Sequence, residues 1–287
     1  MDAVKYGTLY LVATPIGNMG DITARAVQTL RDADFIAAED TRVSGKLLER
    51  LAIKKPLISY YEHNRLENGA KILARLISGE NCALVTDAGT PAISDPGEDL
   101  VRSCADAGIA VTALPGPCAA VSALSLSGLP TGRFTFEGFL STAGGSRAAH
   151  LEDLKTEKRT MIFYEAPHKL RRTLADMLTA FGERRVSISR ELTKIYEETI
   201  RCTLSEAVAR FEETEPRGEF VIIIEGFRDT GLRPADVDGA VSVANSLIGE
   251  GQSLKDAVKK AAEECGVPKN ALYNAVVKAI HEKQEVV

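Results

Sequence analysis

Short apolar, β-rich runs alternate with helix-length amphipathic stretches through the first half of this 287-residue chain, and that alternation limits the fold more than any other feature. Thr8 to Thr14, Phe35 to Ala38, Leu57 to Tyr60, Cys82 to Thr86 and Ala110 to Leu114 read as strands. Helical patterns separate them over Ala24 to Asp32 (capped by Thr23 or Asp21), Val43 to Leu51, Asn64 to Ser78 and Gly97 to Ala107. An apolar helix over Cys118 to Leu126, closed by Gly128, follows the last strand. Strands joined by helices of this length predict an α/β fold whose first sheet is mostly parallel and covered on both faces.

Gly128-Leu129-Pro130-Thr131-Gly132 is turn chemistry and marks a break. Beyond it, Phe134 to Leu140, Thr160 to Tyr164, Val186 to Arg190, Thr199 to Thr203 and Phe220 to Glu225 read as strands. Helices are expected over Arg147 to Glu157, Pro167 to Phe181 and Leu204 to Glu213, with a polar, mobile loop between Ser141 and Ser146. These predict a second α/β domain with a mixed sheet. Asp229 to Pro234 reads as a linker and the remainder as helical, with Ser253 capping Leu254 to Cys265, a break at Gly266, and Pro268 opening Asn270 to Glu282. The expected domains are therefore residues 1–128, 129–230 and 231–287. The last two helices outline a helix-turn-helix, but a packing or dimerisation appendage is the preferred reading of that pattern.

Apolar residues at 45% and charged residues at 26% suffice for a core without covalent staples. Cys82, Cys104, Cys118, Cys202 and Cys265 are scattered and odd in number, which predicts a reduced, cytoplasmic protein without disulfides or a zinc site. His63, His150, His168 and His281 show no metal spacing, so no metal is expected. Met1 to Lys5 lacks the start of a secretory h-region and no 18-residue apolar run occurs, so neither secretion nor membrane insertion is expected. A net charge of −5 argues against a generally basic nucleic-acid binder. The charge is uneven, however: residues 1–132 hold 12 Lys/Arg against 15 Asp/Glu, whereas residues 133–185 hold 10 against 7. That local excess, which includes Arg147, Lys169, Arg171 and Arg172, is either a set of solvated helix faces or a docking surface for a phosphate backbone.

Three loops should gather at the carboxyl edge of the first sheet, where open α/β sheets bind their ligands. The most telling is Asp87-Ala88-Gly89-Thr90-Pro91-Ala92-Ile93-Ser94-Asp95-Pro96-Gly97, stiffened by Pro and permissive at Gly. Its structural alternative is a plain turn in which Asp95 caps the next helix. The loops Pro15 to Asp21 and Pro115 to Ala120 likewise lead from strand to helix. Glu39 and Asp40, about twenty residues after the first loop, partly mimic a dinucleotide fingerprint. The three-glycine spacing is missing, which disfavours a dehydrogenase, and the absence of G-x-x-x-x-G-K-[ST] disfavours a P-loop. In the second domain, Phe163 to Lys169 and Arg190 to Lys194 put charged residues at strand ends, although Glu165 could merely pair with Arg190.

The ordered set T-P-I-G-N (Thr14 to Asn18), E-D-T-R (Glu39 to Arg42), D-A-G-T-P-A-I-S-D-P-G (Asp87 to Gly97), P-G-P-C-A, F-Y-E-A-P-H and R-E-L-T-K resembles the tetrapyrrole methylase superfamily. Within it, the set is similar to the branch that methylates small-subunit ribosomal RNA. The resemblance implies two α/β domains with S-adenosylmethionine between them, usually as a homodimer, and methylation of a cytidine 2′-hydroxyl in the decoding region. It assigns the methionine part of the donor to Asp87, Ala88, Gly89, Thr90 and Pro91, with Pro15, Gly17, Ile93 and Asp95 nearby. Ser122, Tyr164, Leu192, Gly218 and Glu219 would enclose the adenosine. Glu191 and Lys194 are the candidates for a base and a nearby cation at the ribose hydroxyl. Arg42, Arg147, His168, Lys169, Arg171 and Arg172 are the candidates for RNA phosphates. Two departures stand out: Gly138-Phe139-Leu140 runs into Ser141-Thr142-Ala143-Gly144 where the family has Pro and Lys, and Lys169 replaces a common Arg.

Overall fold

Strands β1 (Thr8–Val12), β2 (Phe35–Ala38), β3 (Leu57–Ser59), β4 (Cys82–Val85) and β5 (Ala110–Leu114) form one sheet in the order β3-β2-β4-β1-β5 in the computed structural model. Every pairing in it is parallel. The structure describes residues 5–228 and 234–284, so the N-terminal tetrapeptide, residues 229–233 of the expected linker and the side chain of His281 lie outside the described residues.

The alternation of side chains along each strand builds two cores. Leu9, Phe35, Ala37, Cys82 and Leu84 pack on one face with Ile72 and Leu76 of α3 (Arg65–Ile77) and Leu100 and Cys104 of α4 (Glu98–Asp106). Val12, Ile36, Ala38, Ala83 and Val85 pack on the other with Ala26 and Leu30 of α1 (Ala24–Asp32) and Leu48 of α2 (Thr41–Arg50). Strands buried on both faces need apolar residues at every position, which is why they read as continuous runs. Thr23 rather than Asp21 caps α1, its side chain accepting from Ala26 N at 3.1 Å. Asp40 accepts from Arg42 N at 2.8 Å and starts α2 at Thr41, two residues before the expected start at Val43. Gly97, not Asp95, stands at the N-cap of α4, so Asp95 has no capping duty.

The second sheet contains β6 (Phe134–Phe139), β7 (Thr160–Glu165), β8 (Arg185–Arg190), β9 (Glu198–Thr203) and β10 (Phe220–Ile224), in the order β6-β7-β10-β8-β9. It is mixed, as expected: β6 and β7 are parallel and the remaining pairs antiparallel. One face carries helix α5 (Ala119–Ser127), whose Ala120, Ala123 and Leu124 pack on Ile162, Val221 and Ile223. The opposite face is covered by α6 (Gly144–Asp153), α7 (Pro167–Phe181) and α8 (Leu204–Glu213).

The position of α5 revises the boundary expected at residue 128. This helix precedes the break in sequence but packs on the sheet that follows it, so the two sheets belong to one unit that ends at Phe227. An apolar helix carries no periodicity to tell which neighbour it serves. The segment expected to be a loop from Ser141 to Ser146 is a loop only as far as Ala143, because α6 begins at Gly144.

Helices α9 (Pro234–Gly249), α10 (Leu254–Cys265) and α11 (Lys269–Gln284) make the second unit. Ala240, Ala244, Ala257, Val258, Ala261, Leu272 and Val276 form its core. Ser253 accepts from Asp256 N at 3.2 Å, and Gly266 at φ +66° ends α10 in the left-handed conformation. Among the described residues, no helix is long and apolar enough to cross a membrane.

Leu124 is 4% exposed at the centre of the α5 contact. Leu124→Ala should lower the unfolding free energy by about 2–5 kcal/mol, read by urea denaturation, through lost burial and a residual cavity.

Candidate functional site

Hydrogen bonds between loops fix the carboxyl edge of the first sheet. Thr14 and Gly89 exchange backbone bonds of 2.9 and 3.1 Å, joining the loop after β1 to the loop after β4. The Thr14 hydroxyl donates to Thr86 O at 3.0 Å, and the Thr90 hydroxyl donates to Pro117 O at 3.1 Å, which brings in the loop after β5. Gly116 lies so close to Ala13 that an added Cβ would stand 2.8 Å from the alanine Cβ. Gly89 sits at φ +89°, a conformation that disfavours any side chain.

These loops form one side of a cleft of about 480 Å³, and the strand ends of the second sheet form the other. Of the residues expected to hold a ligand, Asp87, Ala88, Gly89, Thr90, Ile93, Asp95, Tyr164, Leu192 and Glu219 line it. Pro15, Gly17, Pro91, Ser122 and Gly218 do not. Ser122 is exposed, and its hydroxyl turns back to Cys118 O at 2.8 Å. Gly17 and Gly218 stand behind the wall, where a Cβ would meet Lys194 Cγ and Glu191 Cγ, each at 2.4 Å. The cleft also contains Ile16, Glu39, Thr86, Cys118, Phe139, Phe220 and Val221, which the sequence reading left out of the site. Glu39 was the most accessible of these, since it directly follows an apolar strand.

Polar and apolar residues divide the cleft. Glu39 Oε2 accepts from the Thr86 hydroxyl at 2.6 Å, and Asp87 Oδ1 accepts from Asp40 N at 3.2 Å. Burial, reinforced by the charge of Glu39, pushes the Asp87 carboxyl above its ordinary value. Asp95 is pushed up to about 6 by burial and by Glu39, with the Thr86 hydroxyl opposing and Asp87 adding to the rise. Across the cleft, Tyr164 accepts from Ala120 N at 3.1 Å and packs edge-on to Phe136 and Phe139. Burial raises its phenol to about 12, so it stays neutral. A ligand with a cationic centre and a flat ring suits this division: carboxylates compensate charge, while Ile16, Leu192 and Val221 exclude water. S-adenosylmethionine has that chemistry.

Glu191 and Lys194 form a clasp behind the cleft and are not among the residues that line it. Lys194 Nζ donates to Glu191 Oε1 at 2.8 Å and to Glu219 Oε2 at 3.1 Å, while Glu219 N donates to Glu191 Oε1 at 3.0 Å. Burial disfavours both charges, but these bonds outweigh it and hold Glu191 below and Lys194 above their ordinary values. Glu191 and Thr193 have φ of +51° and +69°, so the turn that presents Leu192 is a strained one held by the clasp.

The basic candidates separate. His168 and Arg172 are exposed at the start of α7, and Lys169 is half-buried there. Arg171 Nε donates to Phe211 O at 2.6 Å, which occupies one edge of its guanidinium. Arg42 is exposed but bound to Asp40 at 2.6 Å. Arg147 corrects the expectation of a phosphate contact. It is 5% exposed, with Nε on Asp176 at 2.7 Å and Nη2 on Thr173 at 2.8 Å, because the turn of α6 points it inward. Glu165 does not pair with Arg190; its carboxylate accepts from Ala166 N at 2.9 Å and from the Thr173 hydroxyl at 2.5 Å.

Residues 8–208 match the family model of tetrapyrrole (corrin/porphyrin) methylases, and residues 235–279 match that of the RsmI C-terminal HTH domain. The second match agrees with the helix-turn-helix outline read in the last two helices. The chain is 50% identical over 272 residues to ribosomal RNA small subunit methyltransferase I of Halalkalibacterium halodurans, covering 93% of this chain and 94% of that one. It is 48% identical over 268 residues to the protein of the same name from Synechocystis sp., covering 93% and 96%. Among solved structures, uroporphyrin-III C-methyltransferase from Thermus thermophilus with S-adenosyl homocysteine shares the fold at TM-score 0.53 and 19% identity, covering 76% of this chain and 97% of that one. Diphthine synthase does so at TM-score 0.58 and 12% identity, covering 77% and 90%.

The raised Asp95 sets a pH dependence of stability. Unfolded, this carboxyl ionises near 3.8, and folded near 6, so the folded chain binds more protons in that interval and loses stability as pH rises through it. Asp95→Asn abolishes the loss. At pH 8 the variant should be more stable than the parent by about 1–2 kcal/mol, discounted for partial exposure, and the gain should vanish near pH 4 in urea melts.

Proposed function

This chain belongs to the tetrapyrrole methylase family and, within it, to the ribosomal RNA small subunit methyltransferase I proteins, and we propose from that premise that it methylates a cytidine 2′-hydroxyl in the decoding region of small-subunit ribosomal RNA. S-adenosylmethionine is the donor in this reading. The observation that carries it is the cleft, in which Glu39, Asp87 and Asp95 face apolar walls in a chain related along nearly its whole length to rRNA methyltransferases.

When bound, the donor supplies a methyl group already activated on a sulfonium. The protein's own residues position, neutralise and exclude water. Asp87 and its neighbours receive the methionine end, the backbone around Gly89 and Thr90 fits against it, and Leu192, Phe220 and Val221 close over the ring. Such positioning of two reactants can supply ~7–11 kcal/mol of a barrier. Glu191 and Lys194 act as positioning residues here, holding the Leu192 turn and Glu219 against the donor. His168, Lys169 and Arg172, with the C-terminal unit, take the RNA. The exposed apolar side chains Val121, Phe134, Ile195 and Tyr196 support pairing with a second copy as a homodimer. A tetrapyrrole acceptor is the second reading; the basic start of α7 and the helix-turn-helix match weigh against it.

Incubation with labelled S-adenosylmethionine and small ribosomal subunits tests the reading. Label should enter RNA and map to one ribose; label confined to small molecules would overturn the RNA assignment. Gly89→Val should weaken S-adenosylhomocysteine binding by more than tenfold in calorimetry, since φ +89° strains any β-branched residue. Lys169→Ala and Arg172→Ala should each reduce the slope of log K against log salt by just under one.

A further inference from the structure

We propose that a polar cavity beside the cleft receives the target nucleotide, and that Asp95, in the wall shared by the two, takes the proton from its ribose 2′-hydroxyl. The proposal rests on the methyl-transfer reading above and deepens it.

The cavity measures about 530 Å³ and lies between the β4–α4 loop and the first turns of α3 and α4. Glu39, Ser94 and Asp95 line both it and the donor cleft. The two spaces are therefore neighbours at these three residues. On the far side, Tyr61 and His63 stand edge to face with centroids 6.1 Å apart, and Tyr61 is 40% exposed, which makes an aromatic surface for an unstacked base. Glu62 and Glu98 offer carboxylates that suit the exocyclic amine of cytosine. Arg65 is held by Glu62 at 3.4 Å and Asp99 at 3.8 Å. Arg102 is exposed, has no ion-pair partner among the described residues and stands at the edge for a phosphate.

Of the carboxylates that line both spaces, Asp95 is the one placed for proton transfer, with the Thr86 hydroxyl as its hydrogen-bond contact. Glu39 is held by Thr86, Asp87 by the Asp40 amide, and Glu191 by Lys194 and the Glu219 amide. Asp95 caps no helix, and burial beside Glu39 raises its affinity for a proton. The step balances without any further reagent. The 2′-oxygen bonds to the methyl carbon as the carbon–sulfur bond breaks, the bonding pair stays on sulfur to give the neutral thioether, and the hydroxyl proton passes to Asp95. Asp95 then loses it to solvent, and no electron is gained or lost.

The test uses the full chain with small ribosomal subunits, comparing the parent with Asp95→Asn, Tyr61→Ala and Arg102→Ala. At saturating donor and subunits, Asp95→Asn should transfer methyl at least 100-fold more slowly than the parent in single turnover. Its rate should also lack the acid limb of the parent, which falls tenfold per unit at or below pH 6. Tyr61→Ala and Arg102→Ala should weaken subunit binding, measured with S-adenosylhomocysteine present, by about five- to tenfold, with single-turnover rate at saturation little changed. An Asp95→Asn variant with the parent's rate and pH profile would overturn the base, and unchanged subunit binding by both cavity variants would overturn the docking site. Absence of transfer to RNA by the parent itself would instead overturn the reading on which both depend.

Discussion

The pair of backbone hydrogen bonds between Thr14 and Gly89 is the constraint from which the site follows. In a parallel sheet, adjacent strands deliver their loops to the same edge but do not tie them together. Here the tie is made by main chain, so it survives any choice of neighbouring side chain. It holds Gly89 at an angle that leaves the loop's inner surface bare, and Thr90 passes the constraint on to Pro117. Three loops thereby act as one rigid rim. The second sheet meets this rim through the backs of two glycines, Gly17 against Lys194 and Gly138 against Ser94.

Much of this was legible in the sequence because its local rules agree with one another. Strands buried on both faces need apolar residues throughout, and β2 and β4 show that as Phe-Ile-Ala-Ala and Cys-Ala-Leu-Val. Caps are local chemistry, so Ser253 announced its helix, and the start of α1 was narrowed to Thr23 or Asp21. The partner of α5 was not legible. An apolar helix with a short turn on either side can serve the sheet before it or the sheet after it, and only the three-dimensional route of the chain decides. Arg147 failed for a related reason, since a basic residue near a charged run looks solvated until a helix turns it toward Thr173 and Asp176.

The site was half legible. The loop from Asp87 to Asp95 carries its chemistry in consecutive residues and could be read directly. The far wall could not, because Phe139, Phe220 and Val221 come from strands whose register places them there. Glu191 and Lys194 carry the opposite lesson. Charged residues at a strand end suggest reactivity, but these two spend their charges on each other and on Glu219. Those bonds brace a strained turn, and a reading of residue types alone does not reveal such a brace.

The electrostatic pattern gives the cleft a direction. Glu39, Asp87 and Asp95 crowd their charges in a partly desolvated space, and the two aspartates answer by holding protons more tightly. In the proposed reaction a cationic donor would relieve that crowding, so part of its binding free energy would come from removing a repulsion the fold has built in. After transfer the sulfur is neutral and the relief is smaller. In the proposed reaction, the same carboxylates that would favour entry of a sulfonium would also favour departure of a thioether.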